Sequence, residues 1–237
     1  MSLPARSRTL VAAVLVAALL TACTDAGAPS DQDTASSTSS PGTSGSFGPS
    51  PSAELAPPAS GFYGVSRAAP VPAEPFTLTD QDGARFRFPR DTDGRVTLVY
   101  FGYSHCPDIC PGTLAGIAVG LCELPPSVRD QVDVLFVTVD PARDTPEALA
   151  EYVGLFSEDF VGLTGSDEEI QAILASFGLP PATTYDLGGG EYGVGHPAGV
   201  LAFTPDGYAH LEYPFGVTVE MWQHDLQKLV EEGWEEA

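Results

Sequence analysis

The sequence predicts an α/β fold: a mostly parallel central sheet flanked by helices, with an N-terminal β-hairpin. Three observations carry that expectation. Two apolar runs of strand length, residues 96–101 and 132–139, are continuous rather than alternating, as in strands covered on both faces. Each is followed by a segment with helix-start chemistry, and buried strands alternating with helices imply parallel pairing. Ahead of them, Phe76-Thr77-Leu78-Thr79 alternates apolar and polar, turns at Asp82-Gly83 and resumes at Arg85-Phe86-Arg87-Phe88. That is a hairpin pattern.

The remaining elements follow in order. Pro111 suits the first turn of a helix that places Leu114, Ile117, Ala118 and Leu121 on one side, although Gly112, Gly116 and Gly120 interrupt it. After the second apolar run, Asp140-Pro141-Ala142-Arg143-Asp144-Thr145-Pro146-Glu147 offers Thr145 as a cap and Pro146 as the first helical residue. This helix runs to about Phe156. Ser166-Asp167-Glu168-Glu169 has the capping-box pattern and opens another, to about Phe177. A Gly-rich loop at 188–190 precedes an apolar strand at 198–203. Thr204-Pro205-Asp206-Gly207 then turns into a strand at 208–213. From Thr218 to about Val230 an amphipathic helix directs Met221, Trp222, Leu226, Leu229 and Val230 toward the core. A ββα unit after a βαβ unit is the thioredoxin-like arrangement. There is no internal repeat and no phosphate loop.

The N-terminus reads as an export signal over residues 1–22. Arg6 and Arg8 form the basic start, and residues 9–22 are uncharged and short for a membrane span of about 20 apolar residues. The ending Leu20-Thr21-Ala22-Cys23 resembles a bacterial lipobox, which implies cleavage before Cys23 and lipid attachment to its sulfur. Plain secretion with an incidental cysteine is the alternative. Residues 23–60 are mostly Ser, Thr, Pro, Gly, Ala and Asp, too poor in apolar side chains to offset chain entropy, and are expected to form a disordered tether. Residues 61–237 are long enough for one domain with a substantial core.

Charge narrows the partners. Ten Lys and Arg face 32 Asp and Glu, a net charge of −22, and loss of Arg6 and Arg8 with the leader takes it to −24. Phosphate backbones would be repelled, which excludes a nucleic-acid binder. A partner with a basic face, or a cation, fits better. Many of these carboxylates, the tail Glu231-Glu232-Gly233-Trp234-Glu235-Glu236 included, simply keep an exported chain soluble.

The chemistry concentrates in Tyr103-Ser104-His105-Cys106-Pro107-Asp108-Ile109-Cys110-Pro111, directly after the first buried strand. With Cys23 lipidated, Cys106, Cys110 and Cys122 remain. An odd number of thiols indicates one working pair and a bystander, and Cys122, twelve residues past Cys110, is expected to be a small buried hydrophobe. If Pro107 begins a helical turn, Cys106 and Cys110 stand at i and i+4 on one face, where the helix dipole lowers the thiol pKa. Such a pair can close a disulfide, structural or redox-active, or clamp a soft metal. A metal needs more ligands, and His196 lies in the loop whose topology returns to the cysteine end. Two thiolates and an imidazole suit copper, with zinc as rival. His105 reads as a hydrogen-bonded neighbour, and His210 and His224 as surface or structural residues. Asp108 and Asp140 are candidates to orient His196 or hold the helix start, Asp140 alternatively pairing with Arg143.

Together these residues resemble the Sco/SenC family. The resemblance is carried by Tyr100-Phe101-Gly102-Tyr103-Ser104-His105-Cys106-Pro107-Asp108-Ile109-Cys110-Pro111, by Val139-Asp140-Pro141-Ala142-Arg143-Asp144-Thr145-Pro146, and by Gly195-His196 ahead of a strand ending Thr204-Pro205-Asp206-Gly207. It covers the chain from about Phe76 to the last helix. It implies a thioredoxin-like domain outside the membrane that binds one copper ion, Cu(I) or Cu(II), through Cys106, Cys110 and His196. The partner implied is cytochrome c oxidase subunit II, whose dinuclear copper centre such proteins help to build. Some members act instead as thiol–disulfide reductases that keep the target cysteines reduced. Two features depart from the family pattern: His196 sits between Gly195 and Pro197, and Cys122 is an extra thiol.

The expectation is therefore a copper chaperone, lipid-anchored at Cys23 to the outer face of the cytoplasmic membrane, at a cell surface or in a periplasm. The alternative is a thiol–disulfide oxidoreductase in which Cys106 attacks and Cys110 resolves. A peroxiredoxin-like peroxidase is weaker, because the activating threonine and arginine set is missing.

Overall fold

The computed structural model describes residues 59–234; the expected leader, Cys23, most of the tether and the last three residues lie outside them. The elements are β1 (Val65–Pro72), β2 (Phe76–Asp80), β3 (Arg85–Phe88), β4 (Val96–Gly102), α1 (Ile109–Glu123), α2 (Pro126–Arg129), β5 (Val132–Thr138), α3 (Pro146–Gly154), β6 (Val161–Thr164), α4 (Asp167–Ser176), β7 (Thr183–Gly188), β8 (Glu191–Gly195), β9 (Val200–Phe203), β10 (Tyr208–Tyr213) and α5 (Val219–Glu231).

Eight strands form one sheet in the order β1-β10-β9-β4-β5-β6-β2-β3, and β7 and β8 form a separate hairpin. Helices flank the sheet, as the α/β, thioredoxin-like expectation requires. Its proportions differ from that expectation. Parallel pairing is confined to β4–β5 and β5–β6, and every other pairing in the large sheet is antiparallel. The sheet is mixed rather than mostly parallel because the hairpins β2–β3 and β9–β10 join β6 and β4 in antiparallel sense, and β1 adds antiparallel to β10 at one edge.

The central strands are buried as their apolar runs predict. Every residue of β4 is buried, and Leu98, Val99, Tyr100 and Phe101 have no exposed surface. The helix starts follow their caps. Thr145 accepts from Ala148 N–H at the head of α3, Ser166 and Glu169 complete a capping box on α4, and Thr218 accepts from Met221 N–H on α5.

The glycines of α1 are explained by its partner. A Cβ at Gly120 would lie 2.9 Å from the Trp222 Cβ, and one at Gly116 would lie 3.6 Å from the Trp222 indole. Small residues one turn apart let α5 seat Trp222 on α1, while Leu114 and Ile117 face the sheet, fully buried. Burying each of these aliphatic side chains contributes about 2 kcal/mol. On α5, Trp222, Leu226 and Leu229 are buried, whereas Met221 and Val230 are only partly covered.

Candidate metal centre

The site forms at the carboxyl ends of β4 and β5, where parallel strands leave their ligand-binding edge. β9 runs antiparallel to β4 with Val200 opposite Tyr100. The loop before β9, which carries His196, therefore returns to the end of β4 from which the cysteine segment departs. Cys106 Sγ, Cys110 Sγ and one ring nitrogen of His196 lie within 4.8 Å of one another. Cys110 has no exposed surface, Cys106 retains 8 %, and His196 is half-buried.

The cysteine segment is not the continuous helix expected. α1 begins at Ile109, so Cys110 is in its first turn and Cys106 precedes it, in a turn closed by Cys106 N–H donating to Tyr103 O at 3.1 Å. The two sulfurs meet across a turn–helix junction instead of along one helical face. The acidity expected of Cys110 is also reversed. Burial pushes its thiol up to about 12, which outweighs the helix start and the hydrogen bond from Tyr100.

The imidazole has a defined tautomer. Its Nδ1 lies 2.9 Å from Pro197 O, and a carbonyl only accepts, so in neutral His196 Nδ1 carries the proton. The Nε2 lone pair then faces Cys110 Sγ at 3.5 Å. Burial lowers the His196 pKa, which keeps that lone pair available at neutral pH. Tyr100 and Tyr103 set their rings edge-on to the imidazole, at 6.4 and 5.7 Å between centroids.

Three soft or borderline atoms at this spacing fit a single soft ion. Ligands bound at about 2.0–2.3 Å in a trigonal plane lie roughly 3.5–4.0 Å apart, so closing on the ion needs movements below about 1 Å. A hard cation would find no oxygen among these three donors.

The surrounding residues divide by what they touch. Asp140, nearly buried, pairs with Arg143 and accepts from the Tyr192 hydroxyl at 2.9 Å. Neither it nor Asp108 supplies the partner of His196 Nδ1, a role held by the Pro197 carbonyl. Asp108 is exposed at the N-cap of α1 and makes no side-chain cap bond. His105 is exposed, its Nδ1 2.9 Å from Ser104 Oγ. His210 pairs with Asp206 and His224 with Asp225, both away from the thiols. Cys122 is exposed, contrary to expectation, because Leu121 fills the core side of that turn. It lines a cavity of about 520 Å³ near the opposite end of the sheet, beside Arg129 and Phe156.

Three residues that support the site went unread as such in the sequence. A Cβ at Gly102 would lie 2.8 Å from Cys110 Sγ and 2.7 Å from the Phe136 ring, so only glycine lets Cys110 sit against β4. Asp144, without exposed surface, accepts from Ser104 N–H at 3.0 Å, Ser104 Oγ at 2.5 Å and Thr138 Oγ1 at 2.6 Å, tying the cysteine segment to β5. Tyr100 donates its hydroxyl to Cys110 Sγ at 3.4 Å. A glycine ending an apolar run was the available signal for the first.

The family model described as SCO1/SenC matches residues 66–231. The chain belongs to the SCO1/SenC family. Among solved members, it is similar to apo Sco1 of Thermus thermophilus, with 34 % identity, a TM-score of 0.63, and coverage of 71 % of this chain and 96 % of that one. The copper-bound ScoI of Bradyrhizobium japonicum gives 32 % identity and a TM-score of 0.58, over 66 % of this chain and 98 % of that one. A SCO1/SenC lipoprotein of Bacillus anthracis gives 25 % and 0.56, over 69 % and 99 %. The mitochondrial protein SCO2 of Saccharomyces cerevisiae is 34 % identical over 134 residues, 56 % of this chain and 44 % of its own length. The chain thus spans about half the length of the curated relatives it matches. For this SCO1/SenC chain, the Cys106–Cys110–His196 group is one that could bind a single copper ion.

Proposed function

We propose that this chain binds one copper ion through Cys106, Cys110 and His196 and delivers it during cytochrome c oxidase assembly, to the dinuclear centre of subunit II. The observation that carries the reading is the convergence of two sulfurs and a correctly tautomerised imidazole within 4.8 Å. Copper bound in the related ScoI supports the identity of the ion. Binding displaces the thiol protons, so affinity rises with pH. Copper(I) holds sulfur more firmly than nitrogen, so release begins at the half-buried His196 and ends at the sulfurs, which exchange with the thiolates of the target. The net charge of −22 suits a partner with a basic face.

An anchor at Cys23, with residues 24–60 as leash, would hold the domain on the outer face of the cytoplasmic membrane. The lipobox-like Leu20-Thr21-Ala22-Cys23 motivates this, and the related Bacillus anthracis lipoprotein supports it. Metabolic labelling with a radioactive fatty acid, in the wild type and in Cys23→Ser, tests it; unlabelled wild type would refute the anchor.

The copper reading is tested by titrating the reduced full chain anaerobically with Cu(II) while recording the visible spectrum. Stoichiometric sulfur-to-copper charge-transfer bands, lost in both His196→Ala and Cys106→Ser, are expected. A second reading has its own observation: Cys106 is the accessible thiol and Cys110 the enclosed one, the asymmetry of an attacking and a resolving cysteine. If the bands bleach at once and leave a Cys106–Cys110 disulfide, the thiol–disulfide oxidoreductase takes precedence.

A further inference from the structure

Cys110 is held differently from Cys106. It lies under Gly102, with no exposed surface, and beside the Tyr103 backbone and the Cys106 sulfur it has two side-chain partners of opposite character. On one side the Tyr100 hydroxyl donates at 3.4 Å; on the other the unprotonated Nε2 of His196 lies at 3.5 Å and accepts the thiol proton. Tyr100 is itself fully buried in the central strand, between Phe136 and His196. A hydroxyl so placed has no water to turn to; the buried Thr113 hydroxyl is a second polar neighbour, and Cys110 Sγ accepts from Tyr100 at 3.4 Å. The directional chain Tyr100 O–H to Cys110 S–H to His196 Nε2 fixes the sulfur's rotamer and aims its proton at the imidazole.

We propose that Tyr100 is the positioning residue of the centre: its hydroxyl orients the Cys110 sulfur toward His196 and withdraws electron density from it. Hydrogen bonds to a coordinating sulfur are among the levers that set copper–thiolate potentials and spectra. The bond favours forms in which Cys110 is a good acceptor, the thiol and the metal-bound thiolate, over the disulfide, whose sulfur accepts more weakly. Tyr100 therefore biases the pair toward staying reduced and metal-competent. A buried tyrosine serving only to fill space would be replaced by phenylalanine without consequence for either sulfur.

The proposal rests on the copper reading only in its spectral arm; the redox arm uses the metal-free protein, so the two fail separately. In the redox arm, full-length wild type and Tyr100→Phe are equilibrated with reduced and oxidised glutathione. In that equilibrium, the two thiols and one oxidised glutathione yield the Cys106–Cys110 disulfide and two reduced glutathiones. The disulfide-linked peptide is quantified by mass spectrometry. Loss of one net hydrogen bond shifts this constant about three- to tenfold toward the disulfide in Tyr100→Phe. In the spectral arm the Cu(II) charge-transfer band moves to longer wavelength at unchanged stoichiometry. Site-specific 3-fluorotyrosine at position 100, a stronger donor of nearly native shape, shifts both readouts the opposite way and covers the case in which Tyr100→Phe fails to fold. A Tyr100→Phe protein that melts cooperatively and matches wild type in the redox constant overturns the proposal, as does 3-fluorotyrosine without effect.

Discussion

The Tyr192 hydroxyl rests 2.9 Å from Asp140 Oδ1, and the Arg143 guanidinium lies 3.8 Å above the centroid of the same ring while pairing with Asp140. Arg143 also donates to the Tyr192 carbonyl at 3.2 Å. This clasp fastens β8 to the loop after β5, four residues ahead of His196. Asp140 thus acts on the histidine segment through the chain rather than by touching the ring.

Opening that clasp should loosen His196 without unfolding the domain. Tyr192→Phe removes one hydrogen bond, about 1 kcal/mol, and is expected to weaken copper binding roughly fivefold in competition with a chelator. Its thermal midpoint should stay within a few degrees of wild type. Unchanged affinity would show that the hairpin does not govern His196.

Gly102→Ala places a methyl where Cys110 Sγ and Phe136 already sit. Overpacking of this kind costs about 1–3 kcal/mol, and the displaced sulfur should lose stoichiometric copper binding. Combining it with Cys110→Ala should return part of the stability, since the smaller side chain vacates the contact. Equal losses in the single and double variants, measured by chemical denaturation, would contradict the contact.

Two alanine substitutions on α1 should have opposite outcomes. Gly120→Ala meets the Trp222 Cβ at 2.9 Å, which sits in the core and cannot retreat. Gly112→Ala meets only the Phe215 ring at 3.3 Å, on a residue 54 % exposed and free to swing away. The first should lower the thermal midpoint. The second should raise it slightly, as alanine gains up to about 1 kcal/mol of helix propensity over glycine.

Alkaline conditions should destabilise the metal-free protein. Burial pushes the Cys110 thiol up to about 12 and holds Tyr152 and Tyr213 above the ordinary tyrosine range. Each raised group keeps its proton in the fold after the unfolded chain has lost it. For Cys110 this stabilisation is complete below the unfolded value of about 8.5 and drains as pH climbs toward 12. Urea midpoints measured from pH 8 to 11 should fall, and fall less steeply in Cys110→Ala.

What the sequence made legible was what local chemistry encodes. The apolar runs at β4 and β5, the caps Thr145 and Ser166, and the helix start at Thr218 each carry their own signal and all stand where expected. β1 did not: it contains prolines, is mostly exposed, and owes its strand character to pairing with β10. The β7–β8 hairpin read as a glycine-rich loop because every residue of β7 is exposed and shows no alternation. The three proposed ligands were readable because family motif and topology agreed on them. The height of the Cys110 pKa was not, since it depends on how deeply Gly102 lets the thiol sink. Gly102, Asp144 and Tyr100 act through packing and polar contacts with the cysteine segment, a relation that residue type alone does not announce.

The Asp225 carboxylate, without exposed surface, accepts the backbone N–H groups of Tyr63 and Gly64 from across the fold. Val65 then pairs beside Glu212, one step from Tyr213, which lies opposite Val200 and so in line with Tyr100. The polypeptide therefore reaches β1 along the last turns of α5, with Phe62 stacked on Trp234 and Lys228 over the Phe62 ring. A pull from upstream would thus be taken first by the end of α5 and by the buried Asp225 carboxylate, and would reach the metal ligands only after these had yielded.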